Sequence, residues 1–447
     1  MKSMNLPKDF LDEMQSLLND DYEKYINTTD NEPFRGISVN RIKTTPEKLL
    51  PLLPFDVQKS PFYDDGYYIP SDVQGIGNLP LHHSGAFYVQ EPSAMSAVEL
   101  LDVQKGDQVL DLCAAPGGKT SQIASKLCGT GLIWSNEVVK NRANILLSNF
   151  ERMGIANGVV SSCYPEVLCE RLSGFFDKVL VDAPCSGEGM FRKNPDAVSE
   201  WSREHVISCA NRQLSILNSA AECVKPGGTL VYSTCTFSYE ENEGVIKAFL
   251  SDNPDFEMGD TGAHFGRKTE LPCAVRITPI ESGEGHFAAK LLRKGESTTI
   301  LPSYLPNRDR KNNGLYQTAE QLLSDIYTEL PDGILTIVKE KAYLLPKCLP
   351  DINGLGVIRS GVLVGEFRKN RIEPSHALFM SSKPSSLKRV LDLTANDTRV
   401  SEFLKGLEID CDSENGYTAV AYCGIIIGFG KCSNRRLKNK YPKGLRI

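Results

Sequence analysis

The chain has 447 residues, 41% of them hydrophobic and 24% charged, with a net charge of −6. That length calls for two to four domains, and that composition belongs to a folded chain rather than a disordered one. The longest apolar runs, such as Ala421–Phe429, fall short of the roughly 20 residues a membrane span needs, and Met1–Phe10 lacks the apolar core of a secretory signal, so a cytoplasmic chain with no membrane partner is expected.

The first segment, residues 1–95, reads as a small α+β module. Pro7–Leu18 is a predicted helix, Gly36–Arg41 a predicted strand, and Pro51–Pro80 a turn-rich stretch. From residue 96 strands and helices alternate. Strands are predicted at Gln108–Cys113, Gly131–Glu137, Val159–Tyr164, Asp177–Val181 and Thr229–Thr234, the last preceded by Pro226-Gly227-Gly228. Helices are predicted at Gly117–Leu127, up to Met153, at Arg203–Val224 and at Glu241–Leu250, and Val275–Thr278 with His286–Leu292 closes the segment as a pair of strands. Such alternation specifies an α/β fold with a parallel, doubly wound sheet over residues 96–295. Gly295–Asn313 is a linker by composition, residues 310–382 are mixed, and residues 388–447 are β-rich and end in a basic tail. In that tail Lys431, Arg435, Arg436, Lys438, Lys440, Lys443 and Arg446 have no acidic residue among them. On charge alone this is equally a solvated tail or a contact for phosphates.

Three strand ends carry chemistry. The first runs into Asp111-Leu112-Cys113-Ala114-Ala115-Pro116-Gly117-Gly118-Lys119-Thr120, a turn of small residues opening a helix. Small side chains let a ligand press on the backbone, and a helix N-terminus offers free N–H groups. The string is neither the glycine fingerprint of dinucleotide folds nor a phosphate loop, since Gly118-Lys119-Thr120 lacks a glycine five residues earlier, so NAD and ATP fit poorly. Glu137 ends the second strand, where a carboxylate can hold the two hydroxyls of a ribose or simply favour a helix start. Asp182 runs into Ala183-Pro184-Cys185-Ser186-Gly187-Glu188-Gly189, and Thr234 into Cys235-Thr236. Ligands bind at the carboxyl ends of parallel strands, so Asp182, Cys185 and Cys235 are expected to converge there.

The 13 cysteines are an odd count without CxxC or Cys/His pairing, which argues against disulfides and against a zinc site, and no metal is expected. Two thiols beside a carboxyl match one demanding reaction, methylation of cytosine at carbon 5. One thiolate must add at C6 to make C5 nucleophilic, an acid must serve the ring near N3, and a second group must assist elimination after the C5 proton leaves. From the residues alone, either cysteine is a candidate for the attack.

These strings resemble the Sun/Fmu-type RNA cytosine-5 methyltransferases, and within them the bacterial RsmF (YebU) group acting on 16S ribosomal RNA. Phe87-Tyr88-Val89-Gln90-Glu91-Pro92-Ser93-Ala94 resembles the motif before that family's catalytic domain. Asp111–Thr120 is similar to its cofactor loop, Asp182–Gly189 to its Pro-Cys motif, and Ser233–Thr236 with Glu240-Glu241-Asn242-Glu243 to its Thr-Cys motif. The resemblance implies a Rossmann-like class I methyltransferase domain, S-adenosyl-L-methionine as cofactor, Cys235 as nucleophile and Cys185 in product release. It implies that Asp182 serves the base and the cofactor, and that Cys113, Ala114, Ala115, Pro116, Gly117, Gly118, Lys119 and Glu137 hold the cofactor. Where the family carries an Asp for the adenine amino group, this chain has Ser162-Cys163-Tyr164-Pro165, which leaves that contact to backbone groups.

Ser38-Val39-Asn40-Arg41 resembles a strand of the family's N-terminal RNA-binding module. Gly361–Glu366 with Arg368–Ala377 resembles its first C-terminal module, and Leu437–Arg446 the end of its PUA-like RNA-binding domain. The implied partner is RNA, 16S rRNA or the small ribosomal subunit, and a monomer is expected because nothing in the sequence demands a partner chain. A transfer-RNA enzyme is the nearest rival, followed by a catalytically silent RNA-binding assembly factor and, more weakly, a DNA cytosine-5 enzyme.

Overall fold

Each predicted strand of the central segment is apolar at successive positions, which only a sheet covered on both faces can satisfy. The computed structural model describes residues 6–296, 312–369 and 371–447. In it five parallel strands stand in the order Gly158–Ser161, Leu132–Asn136, Gln108–Asp111, Phe176–Asp182 and Val224–Thr234. The chain thus starts in the middle of the sheet, builds one half and returns to build the other. His286–Arg293 joins antiparallel to Val224–Thr234, and Ala274–Ile277 antiparallel to it in turn. This is the Rossmann-like, doubly wound architecture expected from the alternation, with additional domains on either side.

Alternation along the strands divides the core. Leu110, Leu132, Trp134, Val159, Val179, Leu230 and Tyr232 fill one face. Their neighbours in sequence, Val109, Ile133, Val160, Leu180 and Val231, fill the other. Successive side chains of a strand point to opposite faces, so one apolar run feeds two layers.

Two details depart from expectation. The Pro226-Gly227-Gly228 turn does not precede the fifth strand but lies inside it, as a bulge where the register jumps between Phe176 and Lys178. Gly227 has φ +79°, and a Cβ on Gly228 would stand 2.8 Å from Lys225 O and 2.9 Å from Asp177 O, so only glycines pass here. Secondly, Val357–Ser360, from the stretch read as C-terminal module, pairs antiparallel with Gly158–Ser161 and extends the catalytic sheet by one strand. The linker expected at Gly295–Asn313 lies almost wholly outside the described residues.

The N-terminal module is a four-stranded antiparallel sheet of Gln58–Lys59, Gly66–Ile69, Arg35–Val39 and Phe87–Gln90. After the catalytic sheet come a four-stranded sheet over Ile334–Pro374 and a five-stranded one over Val390–Asn439. The last domain folds back on the first. Ile37, Val39 and Phe87 share one buried cluster with Leu393, Phe403, Ile427 and Tyr441, and His83 Nδ1 lies 2.7 Å from the Tyr441 hydroxyl. Among the described residues no helix is long and apolar enough to cross a membrane, and no group of three or more His, Cys, Asp or Glu is placed to hold a metal.

Candidate active site

The carboxyl ends of the five parallel strands deliver the site. Asp111 is fully buried at the end of the central strand. Its Oδ2 accepts from Thr120 Oγ1 at 2.7 Å while Oδ1 has no partner. Burial pushes its pKa up to about 7 against the pull of the Thr120 hydroxyl. The turn that follows needs both glycines, for different reasons. Gly117 sits at φ +113°, and a Cβ on Gly118 would stand 3.1 Å from the Gln90 side chain. Arg142 donates to Ala115 O at 2.9 Å and Asn149 to Pro116 O at 2.9 Å, fixing the small-residue turn from the neighbouring helix. Burial, with Asp111 nearby, pushes the Cys113 thiol up, so it stays protonated and inert.

Glu137 is 3% exposed, accepts the Val139 N–H at 2.9 Å and meets Arg142 at 3.1 Å. Asn136 beside it clips the next strand end. It donates to Cys163 O at 2.9 Å and accepts from Cys163 N at 3.1 Å and from Ser161 Oγ at 2.8 Å. Both backbone groups of Cys163 are therefore spent, and Ser162 N is taken by Gly356 O at 2.9 Å. The backbone substitutes expected for the missing Asp are thus mostly engaged, and Tyr164, 64% exposed, is the prominent side chain there. As a receptor for S-adenosylmethionine the residues fit. A turn without bulky side chains meets a helix N-terminus, the buried carboxyl of Asp111 beneath it keeps one oxygen unpartnered, and a second buried carboxylate ends the neighbouring strand.

On the other side of the switch point, Asp182 is held by Lys119 Nζ at 2.7 Å and by Ser233 Oγ at 2.7 Å, with His286 Nε2 at 3.9 Å. Burial opposes ionisation of Asp182, but the Lys119 ammonium and the Ser233 hydroxyl outweigh it and hold the carboxyl below its ordinary range. Burial also pushes His286 down to about 3, so its ring is neutral.

Cys185 Sγ and Cys235 Sγ stand 3.2 Å apart. The neighbouring Cys235 sulfur, reinforced by burial, drives the Cys185 thiol up, and either sulfur can be the donor of the contact between them. The two cysteine loops brace each other reciprocally. Glu188 of the Pro-Cys loop accepts from Phe237 N at 2.8 Å and Ser238 N at 3.0 Å, and Glu241 behind the Thr-Cys loop accepts from Ser186 N at 3.0 Å. Ser186 Oγ and Thr236 Oγ1 close the frame at 2.9 Å, and Gly189 N donates to Cys235 O at 2.9 Å.

Asp182, Cys185 and Cys235 are thus brought together, with Lys119 tying the cofactor turn to Asp182. Sequence reasoning named Ser233, Glu188 and Glu241 only as members of the motif strings, without a bracing role, and gave His286 no part in the site. The signal available was weak, because an acidic residue in a loop reads as a surface residue until its donors are seen.

The model of the family described as 16S rRNA methyltransferase RsmB/F matches residues 98–292. The N-terminal domain of 16S rRNA methyltransferase RsmF matches residues 6–92. The RsmF rRNA methyltransferase first C-terminal domain matches residues 319–381, and the methyltransferase RsmF PUA domain residues 390–447. The ribosomal RNA small subunit methyltransferase F of Vibrio campbellii is 32% identical over 467 residues, covering 98% of this chain and 97% of that protein. Its counterpart in Aliivibrio fischeri is 32% identical over 432 residues, covering 92% and 91%. Among solved structures, a methyltransferase homolog from Pyrococcus horikoshii is 29% identical with a TM-score of 0.57, covering 65% of this chain and 96% of that one. NSun6 from the same organism, at 22% identity and a TM-score of 0.59, shares the fold over 66% of this chain and all of that one. With four consecutive domain models matched in order and relatives aligned end to end, the chain belongs to the RsmF family of S-adenosylmethionine-dependent RNA cytosine-5 methyltransferases.

Proposed function

We propose that this chain methylates carbon 5 of a cytosine in 16S ribosomal RNA, with Cys235 as covalent nucleophile and Cys185 as the group that assists release. The observation that carries the reading is the pair of thiols 3.2 Å apart beside an ionised Asp182.

S-adenosylmethionine, when bound, would supply an electrophilic methyl group, its S–CH3 bonding pair staying on the sulfur of the departing S-adenosylhomocysteine. The Cys235 thiolate forms a bond to C6, and the C5–C6 π pair becomes available at C5 for the new C–CH3 bond. Because Lys119 keeps Asp182 ionised, Asp182 does not serve as the acid expected near N3 but accepts a hydrogen bond from the exocyclic amino group, and the Lys119 ammonium offsets the charge that builds on the ring at N3. Water accepts the C5 proton, the electrons of that C–H bond form C5=C6, and the C6–S bond breaks with its electron pair staying on the Cys235 sulfur. Cys185, which keeps its proton, donates to the departing sulfur. A cytosine in a helix is out of reach of a thiol, so the target must be unstacked or extruded.

The last domain, read as PUA-like, is the natural place to grip the surrounding RNA in a monomeric, cytoplasmic enzyme. Of its basic run, Arg435 and Arg436 are paired with Asp412 at 3.1 Å and Asp410 at 2.7 Å. The contribution without a carboxylate partner therefore falls to lysines, with Lys431, over the Tyr417 ring, and Lys438 exposed on adjacent paired strands.

Bisulfite mapping of ribosomal and transfer RNA from cells with and without the gene tests the assignment. A protected 16S cytosine that vanishes with the gene is expected. Protection lost only from transfer RNA would move the enzyme to that substrate, and no change in any RNA would sink the enzymatic reading.

A further inference from the structure

A cleft of about 410 Å³ opens between the N-terminal module and the catalytic domain, lined by Arg35, Gln90, Glu91, Arg192 and Lys193 with Glu32 at its rim. No step of the cytosine chemistry uses it, yet it adjoins the catalytic edge on two sides. Gln90 lies against Gly118 of the cofactor turn. Arg192 and Lys193 follow directly on the Pro-Cys loop, which Gly189 ties to Cys235 O.

The donors of this cleft are short of acceptors. The Arg192 side chain is 7% exposed and lies over the Phe34 ring, its centre 5.5 Å away. One terminal nitrogen donates to Asn31 O at 3.0 Å and Glu32 O at 2.8 Å. Its Nε and other terminal nitrogen are buried without a hydrogen-bond partner, the nearest carboxylate oxygen, Glu284 Oε2, standing 3.7 Å from Nε. Lys193 makes no side-chain hydrogen bond or ion pair among the described residues, and burial pushes its pKa down. Among the described residues Arg35 donates only to the carbonyls of Ser71, at 3.1 Å, and Val73, at 2.6 Å. Of the acidic neighbours Glu91 is committed elsewhere, while Glu284 Oε2, itself without a hydrogen-bond partner, meets Arg192 only at ion-pair distance. Glu91 already accepts from Ser93 N, Ser93 Oγ, Ala94 N and Glu284 N, and Glu284 Oε1 accepts from Phe34 N at 2.5 Å. Buried guanidinium donors left unbonded are costly, and a group with several acceptor oxygens and a single negative charge satisfies them best.

We propose that this cleft binds a backbone phosphodiester next to the target cytosine, through Arg192 and Lys193 with Arg35 at the rim; the proposal rests on the RNA-methylating reading above. Phosphate contacts fix register without reading sequence. Gripping the phosphate beside an extruded nucleotide would set how far its base reaches toward Cys235.

The test uses the full-length protein and a fluorescein-labelled, cytidine-containing single-stranded oligoribonucleotide, titrated by anisotropy across a series of KCl concentrations. Lys193→Gln is expected to weaken binding by about tenfold and to flatten the salt slope by about 0.7, the loss of one phosphate contact on a single strand. Its affinity for S-adenosylmethionine, read by calorimetry, should stay within about twofold, which separates lost contact from general disorder. Glu284→Gln removes a competing charge while keeping an acceptor for Phe34 N, and is expected to tighten RNA binding. An unchanged slope in Lys193→Gln, or weaker RNA binding in Glu284→Gln, overturns the proposal. So does inorganic phosphate binding that depends on Lys193 while the RNA slope does not, which would mark a free-anion site. Unaltered protein that binds this RNA with the expected Lys193 dependence but methylates no RNA would overturn the functional reading and leave the cleft standing.

Discussion

Cys185 and Cys235 are chemically the same group, and the proposed mechanism divides the labour between them. Cys185 is driven to keep its proton by its neighbour and by burial, so replacing each thiol has a different consequence. Cys235→Ala is expected to abolish methyl transfer. Cys185→Ala is expected to slow elimination and to leave a protein–RNA adduct that survives a denaturing gel. An adduct in the Cys235 variant and none in the Cys185 variant would reverse the assignment. Asp111 offers a second residue-scale prediction. Its folded-state pKa of about 7 lies above the ordinary aspartate value of 3.8, so between those values the native state holds a proton that the unfolded chain has already released. Stability from this group therefore falls as pH rises from about 4 to about 7 and levels off above that. Melting temperature measured against pH should show this slope in the parent and less of it in Asp111→Asn, and identical slopes would refute the assignment.

At the scale of the element, the catalytic geometry depends on two loops that carry each other's caps. Glu188 satisfies Phe237 N, Ser238 N and Trp201 Nε1 while buried to 2% exposure. Glu188→Ala leaves three buried donors unpaired and is expected to cost about 2–4 kcal/mol in urea unfolding, with a larger loss of single-turnover rate than of cofactor affinity. Gly189 makes the same point through space. A Cβ there would stand 2.7 Å from Gly285 O and 3.0 Å from Cys235 O, both backbone atoms. Gly189→Ala is expected to push the two loops apart and to lower the transfer rate by at least about tenfold, and a parent-like rate would show that the frame tolerates the shift. Helices and strands of this domain were readable because periodicity is a local property. The bulge in Val224–Thr234 and the added strand Val357–Ser360 were not, since β-rich segments carry no address for their partner, and the edge of Gly158–Ser161 is nearly two hundred residues away in sequence.

For the whole molecule, the first and last domains share a core, with Ile37, Val39 and Phe87 packed among Leu393, Phe403 and Ile427. Removing residues 390–447 should therefore do more than weaken RNA binding. It uncovers a contiguous apolar surface, and the truncated chain is expected to melt lower and to aggregate. Replacing both Lys431 and Lys438 by Glu keeps that core and is expected to reduce RNA affinity and its salt dependence with the melting temperature unchanged. If truncation left the melting curve intact, the shared core would not be contributing stability.

The sequence by itself determined the order of strands and helices, the small-residue turn after Asp111, and the Pro-Cys and Thr-Cys strings at strand ends. Each of these is written in consecutive residues, where spacing and residue type are enough. Family membership followed from the same strings, and the comparisons agree with it. Only the tertiary structure decided how the site is held. The pairing of Lys119 with Asp182, the crossed carboxylates Glu188 and Glu241, the neutral His286 and the cleft around Arg192 all join residues from different elements. A carboxylate or guanidinium reads as surface in a sequence, and it becomes a clamp or an unfilled donor only when folding buries it among particular partners.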